Sequence, residues 1–307
     1  MFRKRRVFVL LVFFIAAYLV VTFSTPPDPT VLERYGISAI TERLLRVSIA
    51  LPLIMIWWIA FYGFSSFKKY AFLIKGSADG KAHANIANGL AVLAIGLPIS
   101  TLAGAGLRLI TKTSPAFATA GSLLKHYLGL FIAVVAFFLI GKGARQLLEI
   151  SKQKPPLHNQ RLLGFTFLAF GSFYAYLILN HSQSPANASG IEGYVYHMPL
   201  WLVITTVILP YLYVWYKGLM AAFYIDFYKN SVSGKLYRNC LRFLAWGIGA
   251  VVISSVLLQY FGVLSEILLA LNIKMLLVLI YALLVSIAVG YVLIAKGARK
   301  LQELEEV

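Results

Sequence analysis

Residues 127–149 read YLGLFIAVVAFFLIGKGARQLLE, an apolar run that ends in a basic segment. Residues 281–303 read YALLVSIAVGYVLIAKGARKLQE and match the first stretch at 11 of 23 positions, 154 residues further along the chain. Apolar composition alone does not reproduce a matched Lys-Gly-Ala-Arg. A long uncharged apolar run is typical of a membrane-spanning helix. The pair therefore predicts a duplicated helix that leaves the bilayer at a basic end.

The duplication extends upstream of this pair. At the same offset, Ser77–Asn85 and Ser231–Asn239 share the pattern Ser-x-x-Gly-Lys-x-x-x-Asn. With a shift of four residues, Leu51-Pro52 matches Leu209-Pro210. These matches predict a tandem internal repeat.

Composition places the whole chain in a bilayer. Sixty per cent of the residues are apolar, 13% are charged and the mean hydropathy is +0.80, whereas a soluble chain carries about 25% charged residues. A span needs about 20 apolar residues. Eight segments qualify: 7–23, 47–64, 84–109, 126–149, 162–180, 197–217, 241–262 and 272–295. We therefore expect an all-α polytopic membrane protein with eight transmembrane helices in two four-helix repeats, 1–154 and 155–307.

Basic residues alternate between rich and poor connections. Of the 28 Lys and Arg residues, 21 fall on the side of the two termini. The other seven are Arg34, Arg43, Arg46, Arg108, Lys112, Lys125 and Lys274. Because Lys and Arg stay on the cytoplasmic side, we expect a multi-pass protein of the cell membrane with both termini in the cytoplasm. An even number of helices per repeat then predicts a pseudo-two-fold axis along the membrane normal. The first span resembles a secretory signal, but its counterpart at 162–180 favours a retained helix.

The net charge of +17 points to the membrane surface. Nucleic acid is disfavoured because the basic residues lie in short connections between apolar runs, where the anionic headgroups of the cytoplasmic leaflet are the better partner. Lys142 and Arg145, with their counterparts Lys296 and Arg299, are predicted to form a cytoplasmic anchor. The spacing of Arg145 and Glu149 predicts a helix that continues beyond the bilayer. The same surface would suit a cytoplasmic protein partner.

The sequence lacks the residue patterns that several kinds of transporter and enzyme require. None of the eleven Asp and Glu residues lies in the middle of a predicted span, where carboxylates mark proton relays and cation paths. Motifs of metalloproteases and serine hydrolases are absent, and Cys240 is the only cysteine. The five histidines lie at the ends of predicted helices, which disfavours haem. We therefore expect no catalytic residue, no metal and no cofactor.

Prolines and glycines mark irregular helices. Pro52, Pro98 and Pro210 lie inside predicted spans, where each removes a backbone hydrogen bond and should kink the helix. Gly89 and Gly96 in the third span predict close packing against a neighbouring helix. The alternative is a broken helix that lines a substrate path.

Polar residues gather at the outer ends of four spans. Arg108 lies at the end of the third span and His126 at the start of the fourth, His181 and His197 flank a loop without Lys or Arg, and Gln259 lies near the end of the seventh. These five residues predict an outer vestibule for a small anionic or polar ligand, with pH-dependent binding. The alternative is an interfacial belt of Tyr, Trp and His.

The sequence thus predicts a non-catalytic membrane protein that binds or senses a small ligand or a partner. The first alternative is a small-solute transporter built on parallel four-helix repeats, and the second is a membrane enzyme.

The topology can be tested by cysteine labelling. Cysteines replacing Lys154 and Lys235 should resist an impermeant maleimide in intact cells, because both positions are expected in the cytoplasm, whereas a cysteine replacing Asn187 should react. Reaction at position 235 without permeabilisation would contradict the eight-span arrangement.

Overall fold

The computed structural model of the chain describes residues 36–77, 79–110, 115–152, 161–168, 171–172, 200–267 and 273–305, with scattered positions between 9 and 32. It describes only the backbone of residues 104–110, 115–123, 125–126, 203, 207, 258–267 and 273–277. This described part is helical and contains no strand. About half of each of the predicted spans 7–23 and 162–180 lies outside it.

Six long helices overlap the other six predicted spans, although the fourth shares only residues 209–217 with the predicted span 197–217. They are α1 (Ala39–Leu73), α2 (Gly80–Ile110), α3 (Pro115–Ile150), α4 (Leu209–Tyr228), α5 (Lys235–Ile267) and α6 (Ile273–Glu305). A helical turn, Leu200–Val203, and a π-helix, Ile204–Ile208, precede α4, and a 3-10 turn, Lys229–Ser231, follows it.

Five of these helices are long and apolar enough to cross a bilayer. The qualifying segments are Ala39–Leu73, Gly80–Ala103, Tyr127–Ile150, Lys235–Leu257 and Val278–Glu305. They indicate a multi-pass integral membrane protein in a lipid bilayer. With 35 residues, α1 is about 52 Å long, which exceeds a hydrocarbon core of about 30 Å. The ends of α1 therefore project beyond the apolar layer.

The six helices form a closed ring in chain order. Helices α2 and α3 make the most extensive pair, followed by α5 and α6, and α1 closes the ring by packing against α6. Helix α4 packs between α3 and α5. One continuous core contains side chains from all six helices, among them the fully buried Phe67, Ile86, Ile140 and Leu244.

Helices α2 and α3 touch through glycines. A Cβ atom on Gly89 would lie 2.6 Å from the carbonyl oxygen of Ala136, and one on Gly143 would lie 2.5 Å from that of Ala82. Only glycine lets two helix backbones approach so closely. Gly96 also faces α3 at close range. Gly89 and Gly96 of the third predicted span therefore pack tightly, and α2 is unbroken over its length.

Helices α5 and α6 repeat this contact. A Cβ atom on Gly247 would lie 2.6 Å from the carbonyl oxygen of Gly290, so Gly247 takes the place that Gly89 has 158 positions earlier. Gly297 of α6 likewise meets the backbone of α5 and corresponds to Gly143, 154 positions earlier. The two offsets differ by four residues, about one helical turn, so each helix keeps the same contacting face.

The three prolines predicted to kink helices have different positions. Pro52 lies within α1 and Pro98 within α2, and both helices continue past them. Pro210 lies at the start of α4, directly after the π-helix. Helical backbone runs without a break from Leu200 through Pro210 to Tyr228, so Pro210 lies inside a continuous helical run. An adjacent π-helical turn is a recognised cause of a bend.

A matched pair of alanine substitutions tests the glycine contacts. Gly89→Ala should lower the free energy of unfolding by about 1–3 kcal/mol, because the new Cβ would lie 2.5 Å from Cγ1 of Ile140. Gly129→Ala on α3 should not, because its Cβ would lie 3.5 Å from the nearest atom, Oγ of Ser100. Unfolding of the purified protein in detergent measures both. Equal destabilisation by the two variants would contradict this packing.

Candidate functional site

Six helix ends meet at one end of the ring. They are the C-terminal ends of α1, α3, α4 and α6 and the N-terminal ends of α2 and α5, linked by contacts such as the 2.8 Å hydrogen bond from Asn85 to Gln146. We call this the basic end. Its basic residues include Lys68, Lys69, Lys235, Arg238 and the four predicted anchor residues Lys142, Arg145, Lys296 and Arg299.

Five side chains form a polar cluster at the basic end. The hydroxyl oxygens of Tyr70 and Tyr237 are 2.5 Å apart, and the hydroxyl of Tyr228 donates to Oδ2 of Asp79 at 3.3 Å. His83 is fully buried, and its ring centre lies 5.2 Å from that of Tyr70. We call these five residues the polar cluster. It lies where the ends of α1 and α4 meet the starts of α5 and α2.

The two hydrogen bonds of the polar cluster occupy equivalent positions. Tyr70 and Tyr228 are 158 residues apart, and so are Asp79 and Tyr237. Tyr70 ties the end of α1 to α5, and Tyr228 ties the end of α4 to the residue before α2. Each bond therefore joins the 1–154 half of the chain to the 155–307 half.

Asp79 is held as a hydrogen-bond acceptor. Burial, and then the negative charge of Asp79, raise the pKa of Tyr228 to about 12. The Tyr228 hydroxyl therefore keeps its proton at neutral pH and donates it. Ser77 donates a second hydrogen bond to Oδ1 of Asp79 at 2.7 Å.

A second pair of hydroxyl bonds lies further from the basic end. Tyr281 of α6 donates to Oγ of Ser48 on α1 at 2.5 Å. The hydroxyl of Tyr127 on α3 lies 3.3 Å from Oγ1 of Thr206, which precedes α4. The tyrosines are 154 positions apart and their partners 158 apart, the offsets found at the glycine contacts.

A groove of about 370 Å³ opens between α1 and α6 at the basic end. Two of the predicted anchor residues, Lys296 and Arg299, belong to it. Nε of Arg299 donates to Oε1 of Glu303 at 2.7 Å, so α6 continues as a helix to this pair. The lining residues are Ile59, Tyr62, Val292, Ala295, Lys296, Arg299, Lys300 and Glu303.

The corresponding position between α3 and α4 is built differently. Arg145 pairs with Glu149 at 2.9 Å, as Arg299 does with Glu303 on α6. However, Lys217 of α4 stands where α1 has Ile59, 158 positions earlier. Its side chain lies over Gly141, where a Cβ would be 3.7 Å from Cδ of Lys217. The α1–α6 groove therefore has apolar lining where the α3–α4 position has a lysine.

The residues of the predicted outer vestibule fall outside the described side chains. His181 and His197 lie in a segment that the structure does not describe, and only the backbone of Arg108, His126 and Gln259 is described. The vestibule stays a prediction. Within the described residues, no three His, Cys, Asp or Glu side chains gather to hold a metal ion.

Comparison with models of protein families, with curated proteins and with solved structures finds no match to this chain. Its function must therefore be inferred from its own residues.

Proposed function

We propose that this is a non-catalytic multi-pass protein of the cell membrane that binds a small anionic ligand, the phosphate of an anionic lipid headgroup, in the groove between α1 and α6. The observation that carries the proposal is that Lys296, Arg299 and Lys300 all line one groove.

The charges of the groove suit a phosphodiester. Its lining contains three cationic side chains and one carboxylate, that of Glu303, so two positive charges are left for a ligand. Arginine and lysine bind phosphate oxygens through charge-assisted hydrogen bonds. The Arg299–Glu303 pair also holds the guanidinium in place at the rim.

The apolar lining suits the rest of a lipid. Along α6, Val292 and Ala295 lie further from the basic end than Arg299 and Glu303, and Ile59 of α1 lines the same groove. A phospholipid has the same order, with its glycerol and acyl chains in the bilayer and its phosphate at the surface. Basic pockets at the cytoplasmic surface of membrane proteins bind anionic headgroups in this way.

The proposal includes eight spans in two tandem four-helix repeats, 1–154 and 155–307, related by a pseudo-two-fold axis along the membrane normal. The glycine contacts and hydroxyl bonds that recur at offsets of 154 and 158 support it. The basic end then lies in the cytoplasm with both termini, because lysine and arginine are retained on that side.

Lipid-dependent thermal stability tests the groove. Short-chain phosphatidylglycerol should raise the unfolding temperature of the purified wild-type protein more than short-chain phosphatidylcholine, since a ligand at a hundred times its Kd stabilises by about 2.7 kcal/mol. The double substitution of Lys296 and Arg299 by alanine should remove this difference. The equivalent substitution of Lys142 and Arg145 is the matched control and should retain it.

The same thermal-stability experiment can also contradict the proposed site. Equal stabilisation by the two lipids, or equal loss in both double variants, would contradict a specific site in the α1–α6 groove. If inorganic phosphate alone reproduces the full shift, the ligand is a free phosphate compound and not a lipid.

A second candidate function is small-solute transport. It is favoured by hydroxyl hydrogen bonds that join the two halves at two levels of the bundle. One level is the polar cluster, and the other is formed by the Tyr281–Ser48 and Tyr127–Thr206 pairs. Transporters built from parallel repeats open by moving one repeat against the other. Solute uptake into liposomes that contain the protein, compared with empty liposomes, distinguishes transport from binding alone.

A further inference from the structure

His83 is a titratable side chain enclosed within the protein. It lies in the first turn of α2 and is fully buried. Its ring centre lies 5.2 Å from that of Tyr70, with the rings nearly perpendicular, and 6.0 Å from that of Phe67. Both aromatic residues belong to α1, so α1 covers the histidine.

The hydrogen bonds define which nitrogen of His83 carries hydrogen. Nδ1 lies 3.0 Å from the backbone carbonyl oxygen of Asp79. A carbonyl oxygen can only accept, so Nδ1 is the donor in this bond. In the neutral ring Nε2 is then an unprotonated acceptor, and within the described part of the chain it has no hydrogen-bond partner.

The Asp79 carboxylate lies close to the ring, with its Oδ2 3.6 Å from Nδ1. Helix α3, which packs against α2, carries the Arg145–Glu149 ion pair at this end. Other titratable groups lie around the cluster on four further helices. They are Tyr70 of α1, Tyr228 of α4, Tyr237 of α5 and, acting at longer range on Tyr70 and Tyr237, Glu305 of α6.

We propose that His83 is a proton-binding site. A proton from the solution at the basic end adds to Nε2, and the Asp79 carboxylate balances the charge of the resulting imidazolium. The step is a simple protonation and needs no other reactant. Histidine is the side chain whose ordinary pKa, about 6.5, lies in the physiological range.

Protonation of His83 adds a hydrogen-bond donor, for which the surrounding structure must supply an acceptor. The new N–H at Nε2 has no acceptor within the described residues, and a buried donor without a partner costs about 1–3 kcal/mol, more when it is charged. The protonated protein therefore favours an arrangement in which Tyr70 moves away and exposes the ring. Because Tyr70 also bonds Tyr237, this movement releases α1 from α5.

Distance measurements across this joint test the proposal. Nitroxides on cysteines replacing the exposed Lys69 and Arg238, in the full chain with Cys240→Ala, report the separation of α1 and α5 beside Tyr70 and Tyr237. In lipid nanodiscs, electron–electron resonance should show a longer-distance population that grows as pH falls from about 8 to about 4.5. A distance distribution without pH dependence would overturn the proposal.

Two substitutions identify the titrating group. His83→Asn keeps an N–H that can donate to the Asp79 carbonyl but takes up no proton, so its distances should not depend on pH. Asp79→Asn removes the balancing charge and should move the change to lower pH by about one unit or more. Persistence of the change in His83→Asn overturns the proposal, and if that variant does not fold, an unshifted change in Asp79→Asn does so. Thermal unfolding near neutral pH checks that each variant is folded.

Discussion

Contacts between glycine and the backbone of a neighbouring helix hold together the two helix pairs on which the ring is built. Lipid chains are as apolar as leucine, so membrane helices associate through close packing and not through the hydrophobic effect. Gly89 and Gly143 bring α2 against α3, and Gly247 and Gly297 bring α5 against α6. These contacts set the starts of α2 and α5 beside the ends of α3 and α6. The basic anchor residues and the polar cluster consequently lie at one end of the molecule.

Helices α1 and α4 complete the ring by packing on the helix pair of the other half. Helix α1 packs more extensively on α6 than on α2, and α4 more on α3 than on α5. Side-chain hydroxyls make the polar bonds at these joints, as between Tyr281 and Ser48. Interhelical side-chain hydrogen bonds in membranes contribute only about 0.6–2 kcal/mol each. Movement of the bundle is therefore expected at α1 and α4, beside both the groove and His83.

The sequence predicted those features that depend on composition and local spacing. Apolar runs overlap all six long helices, five of which are apolar and long enough to cross a bilayer. The Arg145–Glu149 spacing predicted the observed ion pair beyond the apolar run. The hydrogen bond between Tyr70 and Tyr237 was missed because its partners are 167 residues apart. The Ser77–Asn85 match has an offset of 154, whereas the packing contacts of α2 and α5 recur at an offset of 158, one helical turn further along. A sequence pattern at the start of a helix does not show which turn of that helix contacts its neighbour. Tyr70 and Tyr228 are separated by 158 residues, the same offset as Leu51 and Leu209. This shared offset could have indicated the polar cluster from the sequence.

Disulfide trapping in native membranes tests most directly whether α1 and α4 exchange between the two halves. In a chain with Cys240→Ala, cysteine pairs replacing Gly63 with Ala295 and Gly141 with Lys217 should form intramolecular disulfides on mild oxidation. The Cβ atoms of these pairs would lie 3.2 and 3.9 Å apart across the halves, close to the separation that a disulfide requires. The pairs Gly63 with Gly141 and Lys217 with Ala295 use the same four positions within one half and should not. Cross-linking of the within-half pairs, with none of the cross-half pairs, would contradict this account.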